Sequence, residues 1–187
     1  MKVISINIGE KRTVKWKHKI YETGIFKHPV EESIFLGKKD VVNDHVIDRR
    51  YHGGIEKAVY AYGENHYTYW TDLYPDLEFS YGMFGENLTI DQLKEEEIFV
   101  GSIYQLGEST IQVTKPREPC VKLGIRFQDA KVIKQFWNTT KSGVYFKVLK
   151  VGNVAKNDEL ILLKKTKNSP SIAEVYNKKT KEHHLRL

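Results

Sequence analysis

With a single cysteine, Cys120, the chain closes no internal disulfide and builds no zinc site from several thiolates. Nothing argues for an oxidising compartment, and a cytoplasmic location is the expectation. No apolar run approaches the ~18 residues that cross a bilayer. The opening MKVISINIG lacks the long apolar stretch and small-residue cleavage pattern of a signal peptide, so no membrane partner is expected. Neither the G-x-x-x-x-G-K-[ST] phosphate loop nor the G-x-G-x-x-G dinucleotide fingerprint occurs. A nucleotide fold is unsupported. There is no repeat, and 187 residues, 40% hydrophobic and 29% charged, suit one domain. The formal charge of +6 is unevenly placed: residues 1–147 carry 21 Lys and Arg against 20 Asp and Glu, residues 148–187 carry 9 against 4. The body is nearly neutral, and the lysine-rich end reads as a solvated terminus before it reads as a nucleic-acid surface.

Hydrophobic periodicity orders the rest. Lys2 to Ile8 alternates Val3, Ser5 and Asn7 with Ile4, Ile6 and Ile8, which predicts a strand with one buried face. Residues 11–40 support only short strands and hairpin turns. Lys57 to Tyr62 reads as a short strand or the entry to a helix. From Glu64, His66, Tyr67, Trp70 and Tyr74 fall at helical spacing until Pro75, which disfavours helix in the residue before it. Ile98–Leu106, Thr110–Lys115, Gly143–Lys150 and Glu159–Leu163 read as strands punctuated by turns at Gly101, Gly107, Gly152 and Asn157. Asp129–Asn138 predicts a helix with Val132, Ile133, Phe136 and Trp137 on one face, and a short helix is expected from Ser171. The fold class is therefore mostly β, a small barrel or sandwich with flanking helices. Residues 1–163 form the domain and 164–187 a basic, partly helical appendage.

Three clusters carry possible chemistry. In TKPREPC, Pro116 and Pro119 stiffen the approach to Cys120, and Arg117 and Lys122 are placed to favour the thiolate, the form that attacks sulfur or binds a soft metal. A buried small hydrophobe is the plainer reading of a lone cysteine. In DRRYHGGIEKAVY, Asp48, Arg49, Arg50, His52, Gly53, Gly54 and Lys57 suit an anion, because paired glycines let backbone N–H groups approach while the cations add charge-assisted hydrogen bonds. A glycine hairpin among solvated basic residues fits the same letters. In YGMFGENLTI, Glu86 and Asn87 either orient a ligand or cap a turn. His52 and His66, with no His-x-x-x-His pair, make a weak zinc signal, and His66 reads first as a packing residue.

Taken in order, RRYHGGIEKAVYAY with HYTYW, then GMFGENLTI, then IFVGSIYQLGESTIQVTKPREPC, then GVYFKVLKVGNVAKNDEL resemble the MOSC family, named for the C-terminal domain of molybdenum cofactor sulfurase, and within it the small stand-alone bacterial YiiM-like branch. The likeness covers roughly residues 1–163. It implies a mostly β barrel, similar to the pyruvate-kinase type, around a molybdenum cofactor, a molybdopterin. It implies that Cys120 is catalytic and either ligates the metal or carries sulfur as a persulfide. It further implies that Arg49, His52, Gly53, Gly54 and Lys57 hold the cofactor's phosphate, that Glu86 and Asn87 face the pterin or substrate, and that Arg117 steadies the thiolate. Where relatives carry three helices after the barrel, SPSIAEVYNKKTKEHHLRL has room for one short helix and a second.

The expected function is reduction of small N-hydroxylated bases or related N-oxygenated compounds. Lacking a dinucleotide fingerprint and a cysteine cluster, the chain needs a separate flavin or iron–sulfur reductase as partner. The alternative is a sulfur carrier, a sulfurtransferase loaded at Cys120 by a cysteine desulfurase. A non-enzymatic barrel that binds nucleic acid or another anion is the reading from a different class. No motif marks a Schiff-base lysine, so pyridoxal phosphate is not expected.

Overall fold

The computed structural model describes residues 1–45 and 53–185. In chain order the elements are β1 (Val3–Gly9), β2 (Arg12–Trp16), β3 (Lys19–Thr23), β4 (Lys27–Pro29), β5 (Ile34–Leu36), a 3-10 turn (Ile55–Lys57), β6 (Val59–Gly63) and a second 3-10 turn (Glu64–His66). There follow α1 (Tyr67–Leu73), β7 (Leu88–Ile90), β8 (Ile103–Leu106), β9 (Ser109–Pro116), α2 (Val121–Phe127), α3 (Lys131–Trp137), β10 (Val144–Lys150), β11 (Gly152–Val154), β12 (Leu160–Lys164) and α4 (Ile172–His184).

Eight strands form one sheet in the order β12-β8-β9-β10-β6-β7-β1-β4, antiparallel except for the β6–β7 pair. That pair is parallel because α1 and the loop after it carry the chain across between them. The mostly β, barrel-like fold expected from the sequence is present, and the sheet stays open rather than closing into a full barrel. Its short end strand β4 pairs with the second half of β1, at Asn7–Gly9. The first half of β1 instead meets the chain leading into β12, through Val3 N–H to Asp158 O at 2.9 Å, Asn157 N–H to Val3 O at 2.8 Å and the single bridge Lys2↔Glu159. The two ends approach, but no ladder joins them.

Two cores result. One lies on the sheet and gathers aliphatic side chains such as Val3, Ile6, Leu88, Ile111, Val144 and Ile172. The other is aromatic and lies under the helices, where Tyr62 stacks on Phe84 with centroids 4.1 Å apart and Trp70 donates its indole N–H to the Tyr62 hydroxyl at 2.7 Å. Burial of such rings carries both area and orientation-dependent attraction. Helix α1 forms where the spacing predicts it and stops at Tyr74, before Pro75. The spacing over 129–138 gives α3. Helix α4 starts at a capping box: the Glu174 N–H donates to Ser171 Oγ at 3.2 Å, and the Ser171 N–H to Glu174 Oε2 at 2.7 Å. It docks rather than trails, because Tyr176 is fully buried, stacks on Trp137 and donates its hydroxyl hydrogen to Phe136 O at 3.0 Å.

Several elements differ from expectation. The face of β1 assigned to solvent is covered, with Val3, Ser5 and Asn7 all buried. Its polar groups are satisfied inside, Ser5 Oγ donating to Asn7 Oδ1 at 2.8 Å and Asn7 Nδ2 to Thr89 Oγ1 at 3.0 Å. The strand expected from Ile98 begins at Ile103, after a turn. Helix α2 was not expected; its seven residues make about two turns, ended by Gln128 in the left-handed conformation, and Gly124 lets it pack closely on Ala130.

Candidate functional site

An open cleft lies where segments from across the chain converge. Strand β9 ends at Pro116, and the stiff Arg-Glu-Pro stretch that follows delivers Cys120 in extended conformation to the start of α2. Cys120 is half-buried and lines the cleft with Arg117, Lys122, Gly53, Lys57, Asn87 and Tyr145. Residues from three sequence clusters thus share one wall.

Arg117 is the most unusual of these groups. Its side chain is 4% exposed and lies over the Tyr60 ring, 5.0 Å from the centroid. Its Nε and Nη1 are buried and donate to no acceptor among the described residues. Buried donors are normally paired, so an orphaned guanidinium facing a cleft marks a place for an anion. Burial acts against its charge, while Tyr60, Tyr145 and Cys120 act for it strongly enough to hold its pKa above the ordinary value. Gly85, beside it, has a φ of +74°, a left-handed conformation that most side chains avoid, and a Cβ there would crowd Ile25 at 3.0 Å.

The floor of the cleft is a polar network that the sequence patterns did not mark. Lys27 and Asp44 form a buried ion pair. Asp44 also accepts from the Gly9 N–H at 2.9 Å and from Asn87 Nδ2 at 2.9 Å. Burial pulls the Lys27 pKa below its ordinary value, with Asp44 opposing. Burial also lowers the pKa of Lys57, and the neighbouring ammonium of Lys115 adds to that effect.

The remaining sequence candidates are placed as follows. Asn87 is buried at the cleft wall, held by Asp44 and by the Tyr60 backbone. Gly53 lines the cleft with a positive φ. Gly54 does not line it, and its N–H is donated to Lys39 O at 2.9 Å rather than offered to a phosphate. Glu86 is a correction. Its carboxylate faces the interior, fully buried, and accepts from Tyr67 Oη, from the Gly82 N–H at 2.8 Å, from the Phe84 N–H at 3.0 Å and from Thr89 Oγ1 at 3.1 Å. It folds the Gly82–Gly85 loop around itself and does not line the cleft. Burial raises its pKa, and these hydrogen bonds oppose the rise. Arg49 and His52 lie outside the described residues. His66 packs internally against Glu95, Nε2 to Oε2 at 2.9 Å. Among the described residues no three His, Cys, Asp or Glu side chains gather as a metal site, and no helix is long and apolar enough to cross a membrane.

A MOSC domain model matches residues 48–161, which span the anion-suited glycines, the Gly82–Gly85 loop and Cys120. The chain belongs to the MOSC domain family. YflK of Bacillus subtilis is 35% identical over 91% of this chain and 76% of its own length. YiiM of Escherichia coli is 33% identical over 75% of this chain and 64% of its own length. A protein of Gibberella moniliformis named "Reductase" is 34% identical over 76% of this chain, which spans only 26% of that longer protein. Among solved structures, YiiM from Geobacillus stearothermophilus superposes with a TM-score of 0.80 at 33% identity, covering 97% of this MOSC chain and 84% of the other. The E. coli YiiM structure gives a TM-score of 0.72 at 26% identity, over 94% and 76%. Within the family, these likenesses make the chain YiiM-like.

Proposed function

We propose that the cleft binds a pterin-based molybdenum cofactor and that the protein reduces N-hydroxylated bases and related N-oxygenated compounds. The observation that carries this reading is Arg117, a buried cation with two unpartnered N–H groups on the wall that also bears the chain's only thiol. MOSC membership and the fungal relative's name support it.

The residues fit such a group. Arg117, Lys57, Lys122 and the Gly53 backbone would hold its anionic part, and Cys120 offers one soft thiolate of the kind a high-valent metal accepts. With no cluster of further metal-binding side chains among the described residues, the cofactor would bring its own donors. When bound, it would supply the two-electron chemistry that releases the substrate oxygen as water, taking up two protons and the electrons of a separate flavin or iron–sulfur reductase. The chain's own contribution is positioning. The buried Lys27–Asp44–Asn87 network fixes the floor, the two prolines fix the thiol, and Tyr60 fixes the guanidinium through its ring face.

The test is metal analysis together with pterin fluorescence after denaturation, on protein from a host that makes the cofactor. Stoichiometric molybdenum and pterin are expected, and Cys120→Ala should fold normally and lose turnover. Full turnover in Cys120→Ala, or a trapped sulfane sulfur on Cys120 in metal-free active protein, would overturn the reading, the second in favour of a sulfur carrier.

A further inference from the structure

A second, open groove adjoins the cleft and shares Cys120, Lys57, Lys122 and Tyr145 with it. Lys115, Tyr21, Pro116 and Pro119 line this groove alone. Cys120 therefore stands in the partition between two spaces. Resting on the function proposed above, we propose that the outer groove is the substrate's seat and that it selects a planar base carrying a phosphate, an N-hydroxylated nucleotide over the free base or nucleoside.

Register puts the recognising groups in one row. Lys115 pairs across the ladder with Tyr145, and Tyr145 pairs with Tyr60, so these three side chains share a face of the sheet. Lys57 lies over the Tyr145 ring at 5.9 Å, and the Tyr60 and Tyr145 rings are 5.0 Å apart. Lys57 and Lys122 are shared with the cleft, where they would hold the cofactor, and Lys115 is the ammonium that lines the groove and not the cleft. The one carboxylate that lines the groove among the described residues, Glu118, is engaged by Lys179 of α4 at 2.5 Å. The excess is positive, while the partly exposed Tyr21 and Pro119 supply apolar surfaces of the kind a base stacks on. The lowered pKa of Lys57, caused by burial and then by Lys115, agrees with cations crowded around a space that an anion would relieve. With the inner cleft holding the cofactor, the outer groove is the side from which a substrate meets Cys120.

Calorimetric titration of cofactor-loaded protein with adenosine 5′-monophosphate and with adenosine reads the inference independently of turnover. The monophosphate is expected to bind about tenfold more tightly. Lys115→Gln, which alters the outer groove alone, should bring the two affinities to near equality, and Lys115→Arg should keep the preference. Equal affinities in the unaltered protein, or a preference that survives Lys115→Gln, would overturn the inference. Absence of molybdenum and pterin would instead overturn the function on which it rests, so the two failures are read by different assays.

Discussion

Replacing Arg117 by Met should make the cofactor-free protein more stable. In the folded chain the guanidinium is 4% exposed, and its Nε and Nη1 have no acceptor among the described residues. Leaving a buried donor unsatisfied costs about 1–3 kcal/mol, so removing two relieves roughly 2–6 kcal/mol. Against this stands the lost attraction to the Tyr60 ring, about 2 kcal/mol for a desolvated pair. Methionine, unbranched and flexible, fills much of the vacated space. The balance is a gain of about 2 kcal/mol, which for a domain of this size raises Tm by roughly 4–8 °C. The assay is thermal and urea unfolding of both proteins from a host that cannot make the cofactor. A bound anion reverses the comparison, because a ligand at a hundredfold its Kd adds about 2.7 kcal/mol to whichever protein binds it. Loaded wild-type protein should equal or exceed the variant. If cofactor-free Arg117→Met is instead less stable by more than about 1 kcal/mol, the guanidinium serves the fold and the argument for an anion site collapses.

Glu86→Ala should destabilise the protein by about 3 kcal/mol in urea unfolding, since it strands the hydroxyls of Tyr67 and Thr89 and the N–H groups of Gly82 and Phe84. Because burial raises the folded-state pKa of Glu86, the folded protein holds a proton that the unfolded chain has released over the interval above the ordinary carboxylate value of 4.5. Stability from this group therefore falls as pH rises through that interval, and Glu86→Gln should flatten the fall in a stability–pH series. Ser171→Ala removes the hydroxyl that caps α4 and should lower stability by about 1 kcal/mol, read as a Tm lower by roughly 2–4 °C.

What the sequence made legible follows the range of each signal. The TKPREPC stretch could be read as a rigid presentation of Cys120 because proline acts on its own and the preceding residue, and the cleft does contain Cys120 and Arg117 together. The start of α4 at Ser171 was legible for the same reason, a cap being set within the three residues from Ser171 to Glu174. Lys27 and Asp44 escaped notice because residues 11–45 show no period, and their pairing depends on β4 lying against β1. The direction of Glu86 also lies beyond spacing. The one local hint is that Gly82 and Gly85 bracket it with positive φ angles, a loop shape that points N–H groups inward at an acceptor. Helix α2 is too short for periodicity and carries a glycine, which is a poor helix former.

The charge ledger of the chain and the charge of its cleft are separate matters, and the carboxy-terminal segment makes the distinction testable. Most of the net charge lies in residues 148–187, yet the cleft draws its cations from Lys27, Lys57, Arg117 and Lys122, with Asp44 neutralising the first. A deletion of residues 164–187 cannot separate the two effects, because α4 is structural. Ile172 and Tyr176 are fully buried, Ile172 N–H donates to Ile98 O at 2.8 Å and Ala173 N–H to Glu95 O at 3.1 Å. Losing one buried aromatic and one buried aliphatic side chain costs roughly 5–10 kcal/mol, comparable with the entire stability of a domain. The truncated chain should be insoluble or molten by near-ultraviolet circular dichroism and dye binding. Lys178→Gln with Lys181→Gln, both exposed on α4, changes the charge without the packing. Cofactor content and anion affinity in that double variant should match the unaltered protein at physiological salt, where surface charges are screened beyond about 8 Å. A marked loss of either would show that the tail's field, and not the buried guanidinium, recruits the anion.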